Sequence, residues 1–246
     1  MTFLEARRNK VTWSILFFCL VLVLNSFLTQ EVTFAAYDRL LRDVGLAAIN
    51  LFGLLLSVFL GVSAVTREIE RRTVYLILSK PVSRAQYLVG KLLGVWITIV
   101  ASLSMMMFVF VIENMALGAP VKPVMFQAFW LMLVEFLLIT SFSILASTFT
   151  SSLLSAFMSC GLFVIGHLSS DLHFFGRKSQ SELMKHLGAG LFYILPDLEK
   201  LNLKTAASLL SPVAAESVIA STFYGLLYVG AFFAMSLAVF TRKDLR

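Results

Sequence analysis

Long apolar runs separated by short charged segments organise this chain of 246 residues. Six such runs stand out, at 11–28, 45–65, 92–112, 124–146, 152–168 and 219–240, and across all of them Glu135 is the single Asp, Glu, Lys or Arg. A helix needs about 20 mostly apolar residues to cross the hydrocarbon core of a bilayer. Spanning β-strands would instead alternate apolar and polar positions over stretches of about ten residues, and none of the six runs alternates. The pattern therefore predicts an all-α membrane protein with six transmembrane helices in one membrane domain covering 1–246. The first run follows Arg7, Arg8 and Lys10. It exceeds the roughly 7–15 residues of a signal-peptide core and reads as an uncleaved first span.

Within the runs, small residues recur at helical spacing: Gly53, Ser57 and Gly61 in the second, Ser152, Ala156 and Cys160 in the fifth, Gly230, Ala234 and Ala238 in the sixth. Such stripes let helix backbones approach closely. No internal repeat or Pro- or Ser-rich linker marks a second domain.

Composition sharpens this picture. The chain is 59% hydrophobic and 14% charged, against roughly 25% charged residues in a soluble domain, so it lacks the polar surface to coat a globule in water. The net charge of +6 follows from the retention of Lys and Arg on the cytoplasmic side of membrane proteins; no basic-aromatic surface suggests nucleic acid. Cys19 and Cys160 are isolated thiols inside apolar runs, neither a disulfide framework nor a ligand set. Met105, Met106 and Met107 are adjacent, so they point around a helix and not down one face. With the N-terminus cytoplasmic, twelve Lys and Arg fall on the inner segments, against eight spread through outer loops that also hold nine carboxylates. Both termini are therefore expected inside, together with the segment 66–91.

That segment, "TREIERRTVYLILSKPVSRAQYLVGK", holds six of the twelve inner cations. Residues 66–79 have helix-compatible composition, with Glu68 four positions before Arg72 as a favourable surface pair. Pro81 stops the helix, because the residue before a proline is biased away from the α region. Ser83, with Gln86 three residues on, has the spacing of a capping box that starts the next helix. The expected hairpin is a helix, a sharp break, and a second helix running into the third span. Composition leaves two uses open: a charged face projected toward a soluble partner, or a solvated loop that merely obeys the charge rule.

The residues of this hairpin resemble the first cytoplasmic loop of type-2 ABC exporter permeases. There an E-x-E-x-x-T helix, a Leu-rich stretch, P-x-S-R and then G-K enter the third span; Glu68, Glu70, Thr73, Leu76, Pro81, Ser83, Arg84, Gly90 and Lys91 match. The similarity is greatest to the branch that includes the permease for nitrous-oxide reductase maturation, which "YILPDLEKLNL" at 193–203 also resembles. The resemblance implies a coupling helix that docks into a groove of a separate cytoplasmic ABC ATPase, with Glu68, Glu70, Arg71, Arg72 and Thr73 at the contact and Pro81, Ser83 and Arg84 shaping the bend. It further implies a second permease copy, a bacterial inner-membrane location, and ATP with Mg bound on the ATPase and not on this chain. The chain has no G-x-x-x-x-G-K-[ST], and "YLVGKL" lacks both the first Gly and the Ser/Thr that would reach Mg²⁺. It is thus not expected to be an enzyme by itself. Two other readings stand beside this one. The chain could be a mechanotransmitter or scaffold acting on an extracytoplasmic partner without transport, or a stand-alone ion-coupled transporter.

Glu135 is the main support for the last reading. A charged side chain at the centre of a spanning helix costs about 2.5–3.5 kcal/mol on insertion scales. Glu135 is expected either to make an interhelical hydrogen bond, with Ser141 and Ser143 as hydroxyl candidates nearby, or to serve a conduit or gate. The runs are expected to supply no second acid or base for a proton relay. His167, Asp171 and His173 gather where the fifth run leaves the membrane, in no recognised metal-site spacing, and no metal is assigned. The segment 169–218 is too long for a structureless connection, and short helices lying at the outer membrane interface are expected in it. No G-x-S-x-G or H-E-x-x-H suggests hydrolysis.

Overall fold

The segment Pro123–Phe149 is apolar on every side, and a helix without a polar face belongs at the centre of a bundle. In the computed structural model, which describes residues 17–22, 37–70, 84–178 and 195–242, it takes that place. The helices are α1 (17–22), α2 (Tyr37–Glu70), α3 (Arg84–Ala116), α4 (Pro123–Phe149), α5 (Ser152–Lys178), α6 (Lys204–Ser208) and α7 (Ala215–Arg242), with a 3-10 turn at Leu198–Leu201 before α6. No strand occurs among the described residues. Of the apolar stretch in α4, 78% is buried within the chain, against 28% in α5 and α7. α4 is the hub, and α5 and α7 leave large apolar side chains such as Leu153, Phe157, Phe223 and Leu227 on the surface.

Five helices, α2 to α5 and α7, are long and apolar enough to cross a membrane. Of the expected first span, 17–22 is helical, and Phe17 and Phe18 set their rings edge-on to Phe52 of α2 at 5.9 and 5.8 Å. The rest of that span lies outside the described residues.

Short connections dictate antiparallel neighbours. Thr150 and Ser151 alone join α4 to α5, and Gly118, at φ +75°, turns the chain between α3 and α4. Two ends of the bundle result: a hairpin end, where α2, α4 and α7 finish, and an opposite end, where they begin. α2 runs parallel to α4 at very short range. A Cβ on Gly53 would enter the Phe136 ring, and one on Gly61 would lie 2.8 Å from Ser143 Cβ. Ser57, between the glycines, turns its hydroxyl back to donate to Gly53 O at 2.7 Å. The small-residue stripe of the second span thus does what its spacing predicts. The stripe of the last span does not within this chain: Gly230 faces open space, and Ala234 and Ala238 are exposed.

Two boundaries differ from the sequence expectation. α2 starts at Tyr37, not near 45, so Arg39 and Arg42 belong to a helix and not to a loop. An exposed Arg39–Asp43 pair at 3.6 Å, one turn apart, adds modest support to this charged first turn. α5 runs on to Lys178 instead of ending at 168, because a charged sequence can continue a helix beyond the apolar limit that defines a span.

Candidate functional site

At the hairpin end, α2 continues without interruption from the bundle core through Glu68 and Glu70, and α3 opens at Arg84 and continues into the third span. Arg71, Arg72, Thr73, Pro81 and Ser83 lie outside the described residues. The base of the hairpin is firmly built. Val65 and Leu88 are fully buried, Thr66 donates its hydroxyl to Val62 O, and Tyr87 stacks on Phe240 of α7 with ring centroids 5.8 Å apart. Lys91 lies over the Tyr87 ring, with Nζ 5.7 Å from its centre. Whatever moves the hairpin therefore moves α2, α3 and the end of α7 together.

At the opposite end, residues 195–211 fold in among α2, α4, α5 and α7 as a strap; the amphipathic stretch 179–195, where interfacial helices are expected, lies almost wholly outside the described residues. The 3-10 turn buries Leu198 and Leu201 completely. Leu198 seats on Gly166 of α5, where a Cβ would stand 2.6 Å from its Cγ, and Leu201 packs near Gly225 of α7. Asp197 caps the turn by accepting from Glu199 N at 3.2 Å, while its own N–H donates to Tyr224 Oη at 2.7 Å. Lys200 lies over the Tyr224 ring at 4.7 Å. α6 ends in a Schellman arrangement, with Ser211 N bonded to Ala206 O at 2.9 Å and Leu210 at φ +54°. Leucine stands here where glycine or asparagine is usual. Finally, the buried Arg42 donates from Nε to Ser208 O at 2.9 Å, tying the strap to α2.

Below the strap lies Glu135, twelve residues from one end of α4 and fourteen from the other, or about 18 and 21 Å at 1.5 Å per residue. Its carboxylate does not meet the serines that the sequence offered. Ser141 donates to Leu137 O, and Ser143 to Ile139 O with a second contact to Ser159 Oγ at 2.9 Å, since a helical serine finds its nearest acceptor one turn back. The facing group is His167 of α5, with Nε2 3.5 Å from Glu135 Oε1. The side chains are 1% and 17% exposed, and neither Glu135 oxygen has a hydrogen-bond partner among the described residues. The expectation that the spans hold no second acid or base is thereby corrected. His167 lies in the last turn of the fifth run, and the tight turn at 150–151 packs α5 antiparallel to α4 so that this side chain meets Glu135 beneath the strap. No grouping of three or more potential metal ligands occurs among the described residues.

A buried carboxyl at mid-helix, five helices long and apolar enough to cross a membrane and a surface rich in apolar side chains fit a membrane protein better than a soluble domain. The family model described as ABC-2 family transporter protein matches residues 3–245. The chain belongs to the ABC-2 transporter family. It is a multi-pass membrane protein and the permease of an ABC transporter, and membership of the ABC-2 family implies a partner ATP-binding subunit. No curated protein matches the chain.

Proposed function

We propose that this ABC-2 permease works as an exporter subunit, paired with a second copy of itself and driven by two copies of a separate ATPase that docks on the hairpin 66–84. In this reading the hairpin end is cytoplasmic and the strap end extracytoplasmic, in the inner membrane of a bacterium. The branch nearest in pattern is the one that includes the nitrous-oxide reductase maturation permease. ATP and Mg bind to the partner, and this chain hydrolyses nothing by itself. Glu68, Glu70, Arg71, Arg72 and Thr73 form the docking face, and Pro81, Ser83 and Arg84 hold the bend.

The observation that carries the reading is the continuity of α2 from Tyr37 through Glu70. A helix of 34 residues spans about 50 Å, well beyond a hydrocarbon core of about 30 Å. Its charged last turn then projects into water, on a rod whose other end is packed in the bundle. ATP-driven closure of two docked ATPases would push on that rod and on α3 beside it, opening a path between the permease copies.

The test is copurification. Glu68→Lys with Glu70→Lys is expected to abolish association with the partner ATPase, while the protein still inserts as a folded bundle. Full association of the double variant would refute the docking assignment.

A further inference from the structure

We infer that Glu135 and His167 form a single-proton site inside the membrane domain, and that its occupancy is linked to the seating of the strap 195–211 above it. The inference stands apart from the docking assignment, since it concerns the opposite half of the bundle.

The geometry fixes the roles. His167 Nδ1 lies 3.1 Å from Phe163 O. A carbonyl oxygen can only accept, so Nδ1 must carry hydrogen and donate. A tilted contact with the Phe163 ring, centroids 4.5 Å apart, holds the imidazole in place. In the neutral ring Nε2 is then a bare lone pair, and it faces Glu135 Oε1 at 3.5 Å. With no proton between them, a buried carboxylate faces a lone pair; with two, a buried imidazolium faces a carboxylic acid. Both states leave a net charge against a fully buried carboxyl, which is costly. With one proton the pair is either carboxylic acid and imidazole or carboxylate and imidazolium, and both forms are neutral overall. The proton moves between Oε1 and Nε2 with no change in net charge, so titration belongs to the pair and not to either residue.

The strap supplies the charges that act on this pair. Lys204 and Glu199 act on both groups, and Asp197 acts on His167. The stretches of α2 and α3 that flank α4, 45–65 and 92–112, contain no ionisable residue. α7 contributes the phenols Tyr224 and Tyr228, of which Tyr224 is bonded to the strap at Asp197. Leu198 seats on Gly166, next to His167 in sequence. Lifting the strap therefore removes Lys204, Glu199 and Asp197 from the site and exposes the imidazole in one movement. By thermodynamic reciprocity, a strap position that changes proton affinity is itself changed by proton binding.

The test uses the full-length protein in lipid bilayers with ¹⁵N-labelled histidine. The chain has three histidines, and His167→Gln identifies the resonance of interest by its loss. The wild type is expected to show His167 with Nδ1 protonated across the whole pH range and with Nε2 as the nitrogen that titrates. Glu135→Gln, an isosteric change, is expected to move the midpoint of that titration by about one pH unit or more, and Lys204→Gln to move it in a separate step. A His167 with bare Nδ1 and protonated Nε2 in the wild type would overturn the assignment without need of any variant. A midpoint indifferent to Glu135→Gln would overturn the pair, and one indifferent to Lys204→Gln would overturn the link to the strap.

Discussion

The bond from Arg42 to Ser208 can be cut without disturbing the rest of the bundle, which makes it the most direct probe of the strap. Ser208 closes α6, so its carbonyl is one of the helix-terminal acceptors that no backbone donor satisfies. Arg42 reaches it at 2.9 Å from a side chain only 6% exposed, and Ser208 is itself 1% exposed. Arg42→Met keeps the length of the aliphatic stem and removes the donor. A hydrogen bond from a charged group contributes about 1.5–3 kcal/mol, which corresponds to a rise of about 10- to 150-fold in the population of the lifted strap. Hydrogen exchange reads that population through the amides of Asn202, Ala207, Leu209 and Ser211, all bonded within the strap. Those amides are expected to exchange at least about tenfold faster, while amides at the centre of α4 keep their wild-type rates. Arg42→Lys retains the charge but not the side-pointing Nε–H, and should fall between the two. Unchanged strap exchange in Arg42→Met would show that the latch carries no stability. A uniform rise across all helices would show that the strap does not open as a unit.

Two further outcomes follow from the packing and the hairpin. Gly53→Leu drives a side chain into the Phe136 ring and should destabilise the protein by about 1–3 kcal/mol, read as a lower unfolding midpoint in detergent; Gly230→Leu, which meets open space, should leave the midpoint where it is. Pro81→Ala should let the two hairpin helices merge, so that the ATPase still copurifies but its hydrolysis no longer drives the permease, a result measured as ATPase activity that fails to respond to reconstitution.

The helical architecture was legible because its signal is large. A run such as 124–146 has no reading in water, and the stripe Gly53, Ser57, Gly61 pointed to a helix contact that Phe136 and Ser143 supply. The strap was not legible, for physical reasons that particular residues make plain. Leu198 and Leu201 in "DLEKLNL" are spaced like an interfacial turn, and nothing local says that Gly166 and Gly225 leave room for them inside the bundle. Leu210 at a left-handed φ carries none of the glycine or asparagine that would announce such a turn. Glu135 could be flagged from its depth alone, but its partner could not, because 32 residues separate it from His167. The pairing follows from the two-residue turn at Thr150 and Ser151, which sets α5 antiparallel to α4 and brings His167, near the end of its apolar run, opposite Glu135.

One helix joins the two ends of this molecule. α2 holds the strap through Arg42 near its start and carries Glu68 and Glu70 in its last turn. Between them it lies against α4 at Gly53 and Gly61, where added Cβ atoms would have no room. Contacts that close leave little slack for bending, because interiors packed at crystal-like density transmit displacement instead of absorbing it. In the proposed coupling, a push on the hairpin would be conveyed along α2 as the movement of a rod and reach the strap at its far end, where Arg42 holds Ser208. Loss of that bond would loosen a strap still held by Leu198, Leu201 and the Asp197–Tyr224 bond, and a lifted strap would withdraw Lys204 and Glu199 from Glu135. On this proposal an event at the charged hairpin and the protonation of Glu135 would be joined through α2 and the strap, with no continuous polar path required between them.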